Sequence, residues 1–154
     1  MPLRSNGLTR RSTITAGAMA AFASLLGARM ALADEKAVMA EIKKLYGDKP
    51  LAEGKIRLDI PEIAENGLVV PVNVEVDSPM TEADHVKTVH IFADGNPQPG
   101  IVSYSFTPAC GKASAATRMR LAQTQNIVCV AEMSNGSLHM AKANVKVTIG
   151  GCGG

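Results

Sequence analysis

The sequence predicts an all-β protein: an antiparallel sandwich of about seven strands, with one short helix before it and a flexible glycine-rich arm after it. Three features carry that prediction. From about residue 55 onward the apolar residues recur with period two, in short stretches rich in β-branched side chains. Turn clusters such as Asp77-Ser78-Pro79 and Asp94 to Gly100 separate those stretches. The chain then closes on Gly150-Gly151-Cys152-Gly153-Gly154, where the missing side chains leave nothing to pack.

Residues 1–33 have the layout of a secretory signal peptide. Arg4, Arg10 and Arg11 make a positive start, an uncharged apolar run extends from Ile14 to Leu26, and Ala31-Leu32-Ala33 is a small-residue cleavage site. The run is too short to span a membrane. The Arg10-Arg11 pair is similar to a twin-arginine export signal, with Thr13 and Thr15 departing from its pattern, so the expected location is the periplasm. Removing this leader takes away Arg4, Arg10, Arg11 and Arg29, four of the sixteen basic residues. Twelve basic residues then face fourteen acidic ones, a net of −2. The basic balance belongs to the leader. No basic patch supports nucleic-acid binding in what remains, one domain over 34–149 and an arm over 150–154.

The domain begins with a helix. Val38, Ile42 and Leu45 recur at helical spacing, Asp34 and Glu35 stand at the start, Lys43 and Lys44 lie near the end, and Gly47 and Pro50 stop it. Seven strands are expected at 55–60, 68–76, 86–93, 101–107, 116–122, 126–133 and 138–149, plausible for an immunoglobulin-like sandwich. Pro71 lacks a ladder donor, which predicts a sheet edge or a bulge there. Asn135-Gly136 predicts a two-residue hairpin turn setting Ser134 opposite Ser137 and Glu132 opposite His139. In the last strand the apolar parity switches between Met140 and Ala143, which predicts a β-bulge at 141–143.

The chemistry narrows to one thiol. His85, His90 and His139 lack ligand spacing, no CxxC occurs, and no nucleophile–base arrangement or phosphate loop can be placed. Met119, Met133 and Met140 lie in strands and read as core. Arg118 and Arg120 alternate to one face, either solvated or steering anions. Of three cysteines in an exported chain, Cys110 and Cys129 either form a disulfide, which would stabilise by about 3 kcal/mol, or remain two thiols. Cys152 is left over, expected to be exposed on its glycine tether with a pKa near ~8.5, and activated by whatever enzyme it visits. One nucleophile without surrounding machinery reads as a carrier and not an enzyme. The alternatives are an exported structural sandwich whose terminal cysteine forms an intermolecular disulfide, and a ubiquitin-like sulfur carrier working through Gly154.

Three stretches, "IAENGLVVPVNVEVDSPMTEADHVKTVHIFADGNPQPGIVSYSFTP", "TRMRLAQTQNIVCVAEMSNGS" and above all "VTIGGCGG", resemble the SoxY family of the periplasmic thiosulfate-oxidising (Sox) system over nearly all of the chain after the leader. The resemblance implies an immunoglobulin-like sandwich that pairs with a SoxZ-like subunit lacking its own export signal. It implies that Cys152 is the covalent sulfur carrier, with Gly150, Gly151, Gly153 and Gly154 matching the arm. It also implies the enzymes that the arm would visit. A c-type haem enzyme joins thiosulfate to the thiol as a cysteine S-thiosulfonate. A manganese-dependent hydrolase releases sulfate, and a molybdenum-haem sulfur dehydrogenase, where present, oxidises the remaining sulfane. No cofactor would be bound permanently; the thiosulfate-derived adduct on Cys152 is the cargo. Cys110 and Cys129 depart from the pattern, since that chemistry needs only the arm cysteine.

Overall fold

A computed structural model describes residues 33–149. Residues 1–32, all but the last of the expected leader, and Gly150 to Gly154, Cys152 included, lie outside the described residues. Among the described residues one α-helix, α1 (Glu35–Tyr46), precedes nine strands: β1 (Leu51–Glu53), β2 (Ile56–Asp59), β3 (Ile63–Ala64), β4 (Val70–Val76), β5 (Val86–Ala93), β6 (Gly100–Ser105), β7 (Ala113–Met119), β8 (Gln125–Met133) and β9 (Leu138–Val147). They form two layers. One sheet runs β1-β9-β8-β5-β6, with β3 also pairing β9, and the other runs β2-β4-β7. The pairing is antiparallel except that β1 and β3 both run parallel to β9. These two short strands carry too few residues to show a period.

Helix α1 is capped as its sequence dictates. The Asp34 carboxylate accepts from the Ala37 amide at 2.8 Å, and Gly47, at φ 72°, donates its amide to the Lys43 carbonyl at 2.7 Å. Val38 and Ile42 are buried, but the third position of the stripe is the half-buried Tyr46 and not Leu45, which is exposed. The helix covers the outer face of the large sheet, against Phe92, Val128 and Val130. Each fully buried aliphatic side chain contributes about 1.5–3 kcal/mol. The inner face of that sheet packs on the small sheet. Val70, Val72, Val74 and Val76 of β4 meet Val89, Ile91, Ile127, Cys129 and Ala131 there. Covered on both faces, β8 reads as a nearly continuous apolar run, Ile127 to Ala131.

The same double cover explains why the expected bulge at 141–143 is absent. The β8–β9 register runs without a shift from Gln125↔Val145 to Glu132↔Leu138. Leu138 and Met140 lie on the face that α1 covers, whereas Val145 and Val147 lie on the face that the small sheet covers. The parity switches because the cover changes sides along an unbroken strand. The irregularities fall instead in β5, between Ile91 and Phe92 towards β6 and between Val86 and Thr88 towards β8.

The hairpin is also one residue longer than expected. Met133 N donates to Ser137 O at 2.9 Å and Gly136 N to Met133 O at 2.9 Å, which makes a three-residue loop, Ser134 to Gly136. A two-residue turn would need left-handed backbone at both Asn135 and Gly136; only Gly136, at φ 80°, adopts it. Ser134 is engaged elsewhere. Its amide donates to His85 O at 2.7 Å, its hydroxyl donates to Ala83 O at 3.1 Å, and that hydroxyl accepts from His85 N at 3.2 Å. Glu132 therefore stands opposite Leu138 and His139 opposite Ala131, so the expected Glu132–His139 pair does not form. Glu132 accepts instead from the Thr88 hydroxyl at 3.2 Å and pairs with Lys87 at 3.4 Å. Pro71 lies in the central strand of the small sheet, paired with Arg118 on β7. Its other flank is open, because β2 ends at Asp59 opposite Asn73. The ladder is spared there by a short neighbour, with no need for an edge strand or a bulge.

Candidate functional site

The last strand delivers the chain to the arm, and its end is held from both sides. On one flank β8 begins at Gln125 opposite Val145, so no strand faces Val147. The Thr124 hydroxyl takes that place, accepting from Val147 N at 2.9 Å and donating to Val147 O at 3.3 Å. On the other flank the segment 62–67 continues the pairing that β3 starts. Lys146 N donates to Glu62 O at 2.8 Å, Thr148 N to Ala64 O at 3.1 Å, the Thr148 hydroxyl to Glu65 O at 2.8 Å, and Gly67 N to Ile149 O at 2.7 Å. The backbone is thus bonded up to Ile149, the residue immediately before Gly150.

Thr124 is itself set by a buried amide pair. Asn96 and Gln125 are both buried, and the Gln125 side-chain amide donates to Asn96 Oδ1 at 2.9 Å and to Gln123 O at 3.1 Å. Gln125 Oε1 accepts from Gly95 N at 2.7 Å, Asn96 Nδ2 donates to Arg120 O at 2.8 Å, and Asn96 Oδ1 accepts from Ala122 N at 3.0 Å. These bonds tie the β5–β6 loop to the β7–β8 connection around Thr124. A Cβ at Gly95 would come within 2.8 Å of Gln125 Cβ, closer than real contacts allow, so glycine is required there by packing. None of Asn96, Thr124 and Gln125 stands out in the sequence, because a polar residue in a turn cluster looks the same whether it faces solvent or ties two loops together.

The two described thiols are not bridged. Cys129 points into the sandwich core, fully buried, and Cys110 is exposed in the short 3-10 turn Pro108–Cys110, so the disulfide entertained between them is not formed. Alternation along β8 aims Cys129 at the core between the two sheets. Burial pushes the Cys129 thiol up to about 12. Cys110 is shifted down, first by a hydrogen bond from the Thr107 backbone and then by the Thr107 hydroxyl. It lies at the other end of β7 from the arm root: Ala113 pairs with Val76, whereas Met119 pairs with Val70. Seven strand residues separate the two ends, roughly 20 Å.

The other candidate residues are dispersed. His90 lies beside Tyr46 and Phe92, with Nδ1 2.6 Å from the Ser103 hydroxyl, and burial lowers its pKa while Glu132 opposes that shift. His85 Nδ1 is 3.0 Å from Thr81 O, and His139 lies at the β1–β9 edge. Among the described residues no group of three or more His, Cys, Asp or Glu side chains is placed to hold a metal ion. Met119 and Met133 are buried in the core. Arg118 and Arg120 are exposed and form no ion pair among the described residues. No helix among those residues is long and apolar enough to cross a membrane.

Fold and site together define a class: a two-layer β-sandwich, with a helix on one face, whose last strand is pinned at its end and continues into a cysteine-bearing glycine segment. Comparison with known proteins gives the family. The model of the sulfur oxidation protein SoxY family matches residues 42–152, and the chain belongs to that family. It is similar to the structure of the sulfur carrier protein SoxY from Chlorobium limicola f thiosulfatophilum, at 35% identity and a TM-score of 0.63 over 74% of this chain and 98% of that one. Superoxide reductases share the fold alone. The neelaredoxin of Ignicoccus hospitalis is 16% identical with a TM-score of 0.55, over 61% of this chain and 80% of that one. The enzyme from Nanoarchaeum equitans is 12% identical with a TM-score of 0.50, over 62% and 100%. No curated protein matches the sequence.

Proposed function

We propose that this chain is a covalent carrier of sulfur in thiosulfate oxidation and that Cys152 is the residue loaded. The observation that carries this reading is the reach of the family match, which extends to residue 152 itself. The described thiols support it by contrast, since Cys129 is sealed in the core and Cys110 sits at the end of the sandwich away from the arm. In the loading step a c-type haem partner removes two electrons as the Cys152 thiolate and the sulfane sulfur of thiosulfate form an S–S bond, giving Cys–S–S–SO3⁻. Hydrolysis by a manganese-dependent partner breaks the S–SO3 bond with one water, leaving Cys–S–S⁻, sulfate and two protons. A molybdenum-haem sulfur dehydrogenase, where present, oxidises the remaining sulfane. The chain itself acts as carrier and not as catalyst, paired with a SoxZ-like subunit and exported to the periplasm on its twin-arginine-type leader.

The test is intact mass of the chain purified without reductant, after exposure to thiosulfate and the haem enzyme. A thiosulfate-derived adduct on the terminal peptide, retained in Cys110→Ser and lost in Cys152→Ser, is the expected result. A Cys152 that stays unmodified, or is found only in a dimer that reduction separates, would leave the structural-disulfide reading in its place.

A further inference from the structure

Six large hydrophobic side chains are exposed among the described residues, and four of them gather where the chain leaves for the arm: Ile63 at 59%, Leu68 at 46%, Val69 at 58% and Ile149 at 68%. Their backbones belong to the two segments sewn together at the arm root. Ile63 pairs with Lys146, Gly67 donates to Ile149, and Leu68 and Val69 follow Gly67 directly. The remaining two, Met39 and Leu45, lie on α1. Residues 67–70 and 147–149 bear no charge, and charged residues flank them: Glu62, Glu65 and Lys146 on the bonded segments, and the exposed Arg120 next to Leu121, whose amide bonds Gly67 O. Single exposed apolar side chains are ordinary on a protein surface, but a cluster rimmed by charge marks an interaction site.

We propose that this apolar collar, Ile63, Leu68, Val69 and Ile149, is the docking surface for the enzymes that act on Cys152, each presenting an uncharged apolar rim around its pocket mouth. The inference rests on the carrier reading given above. Covalent length identifies the occupant. Cys152 is three residues beyond Ile149, so its Cα stays within about 11 Å of Ile149 in any conformation. An enzyme whose reacting group meets that sulfur must close over the root, and the large apolar side chains exposed there are these four. The contact is recognisable independently of the adduct, so one collar serves every enzyme in the sequence of reactions. Because the same surface is used by successive partners, each must be released, which favours a small apolar contact over a large interface.

The experiment uses the chain with its constant partner, the haem enzyme and thiosulfate, comparing wild type with Leu68→Asp/Val69→Asp and with the helix control Met39→Asp/Leu45→Asp. Loading is followed by mass as carrier concentration is varied. Collar variants are expected to raise KM for the carrier about tenfold with kcat little changed. Alkylation of Cys152 by iodoacetamide and the mass of the heterodimer by light scattering should stay at wild-type values, and the helix control should load normally. Val69→Ser carries the same test, with a smaller shift, should the double variant fold poorly. Equal KM in collar and control variants would overturn the docking surface while leaving the carrier reading intact. Loss of the heterodimer in the collar variants would overturn it too, assigning the patch to the permanent partner. A wild-type chain that takes up no thiosulfate-derived sulfur would instead sink the carrier reading and the docking surface with it.

Discussion

At the end of the sandwich where β9 stops, the Thr124 hydroxyl on one flank and the backbone of 62–67 on the other bond the chain up to Ile149 while apolar side chains stand out into solvent; at the opposite end, where the 3-10 turn carries Cys110 and the hairpin loop spans Ser134 to Gly136, the side-chain bonds hold turns and loops. Ser134 is the nearest counterpart there, binding the segment 83–85 through its backbone and hydroxyl. Yet Ser134 secures a loop, whereas Thr124 and the Asn96–Gln125 pair secure the point from which another segment departs. The difference teaches how a β-sandwich can fix the end of a strand, which is ordinarily the part that frays. Here the end is fixed on one flank by the Thr124 hydroxyl, which stands in for a missing neighbouring strand, and on the other by the backbone of 62–67.

The largest effect expected from this contrast is between the two described thiols. At pH 8 the Cys129 thiol, with a pKa pushed up to about 12 by burial, is about one part in ten thousand thiolate and shielded by the core as well. Cys110, exposed and shifted down by the Thr107 bonds, presents its thiolate directly. Alkylation of the native protein should therefore modify Cys110 at least ~10³-fold faster than Cys129. Peptide mass spectrometry over time checks it. Comparable rates would mean that the core opens readily and that the sandwich is not the rigid base required. For the sign of the pH effect, both thiols react faster as pH rises, and the Cys110 rate levels off first because its pKa is the lower.

How much of this was legible beforehand follows from what side-chain periodicity can report. The helix and the seven longer strands announce themselves by spacing. The errors share a cause. Period-two reading assumes one buried face, and β9 changes its buried face halfway, from α1 to the small sheet, so an unbroken strand imitates a bulge. The Asn135-Gly136 pair implied a two-residue turn because nothing local shows that Ser134 is already bound to His85 and Ala83. The arm root escaped altogether. Asn96, Thr124 and Gln125 are polar residues in turn-like stretches, and only the fold brings them to the end of β9. The exposed pair Leu68-Val69 read as the start of a strand, which in fact begins two residues later, at Val70.

A middle-sized effect tests whether the two ends differ in consequence as well as in form. Gln125→Ala removes the partner of Gly95 N and one partner of Asn96 in a buried setting. Leaving such groups unpaired costs about 3 kcal/mol, enough to lower Tm by roughly 10 °C. Ser134→Ala at the other end removes one hydroxyl near the surface and should cost about 1 kcal/mol. Thermal denaturation of both variants, with hydrogen exchange at Ala122, decides it. Faster exchange at Ala122 in Gln125→Ala but not in Ser134→Ala is expected, because Ala122 N donates to Asn96. Equal destabilisation would erase the distinction between a structural anchor and a loop tie.

The smallest effect isolates the anchor from the fold. Thr124→Val keeps the shape of the side chain and deletes the hydroxyl that both accepts from and donates to Val147. The lost bonds cost about 1 kcal/mol, and Thr124→Ser, which keeps the hydroxyl, should restore most of it. Exchange at Val147 N is expected to quicken in the valine variant and to recover in the serine variant. Exchange at Thr148 N should change less, because its acceptor, Ala64 O, lies on the intact flank. If the root frays back to Val145, four more residues, 146–149, come loose from the sheet ahead of Cys152, and on the carrier reading the effective concentration of the thiol at a docked pocket falls about twofold. Loading should slow by no more than that. A tenfold loss in Thr124→Val without a matching loss of stability would show that the hydroxyl contacts the enzyme and does not merely hold the strand. An unchanged exchange rate at Val147 would show that the 62–67 flank alone fixes the origin of the arm.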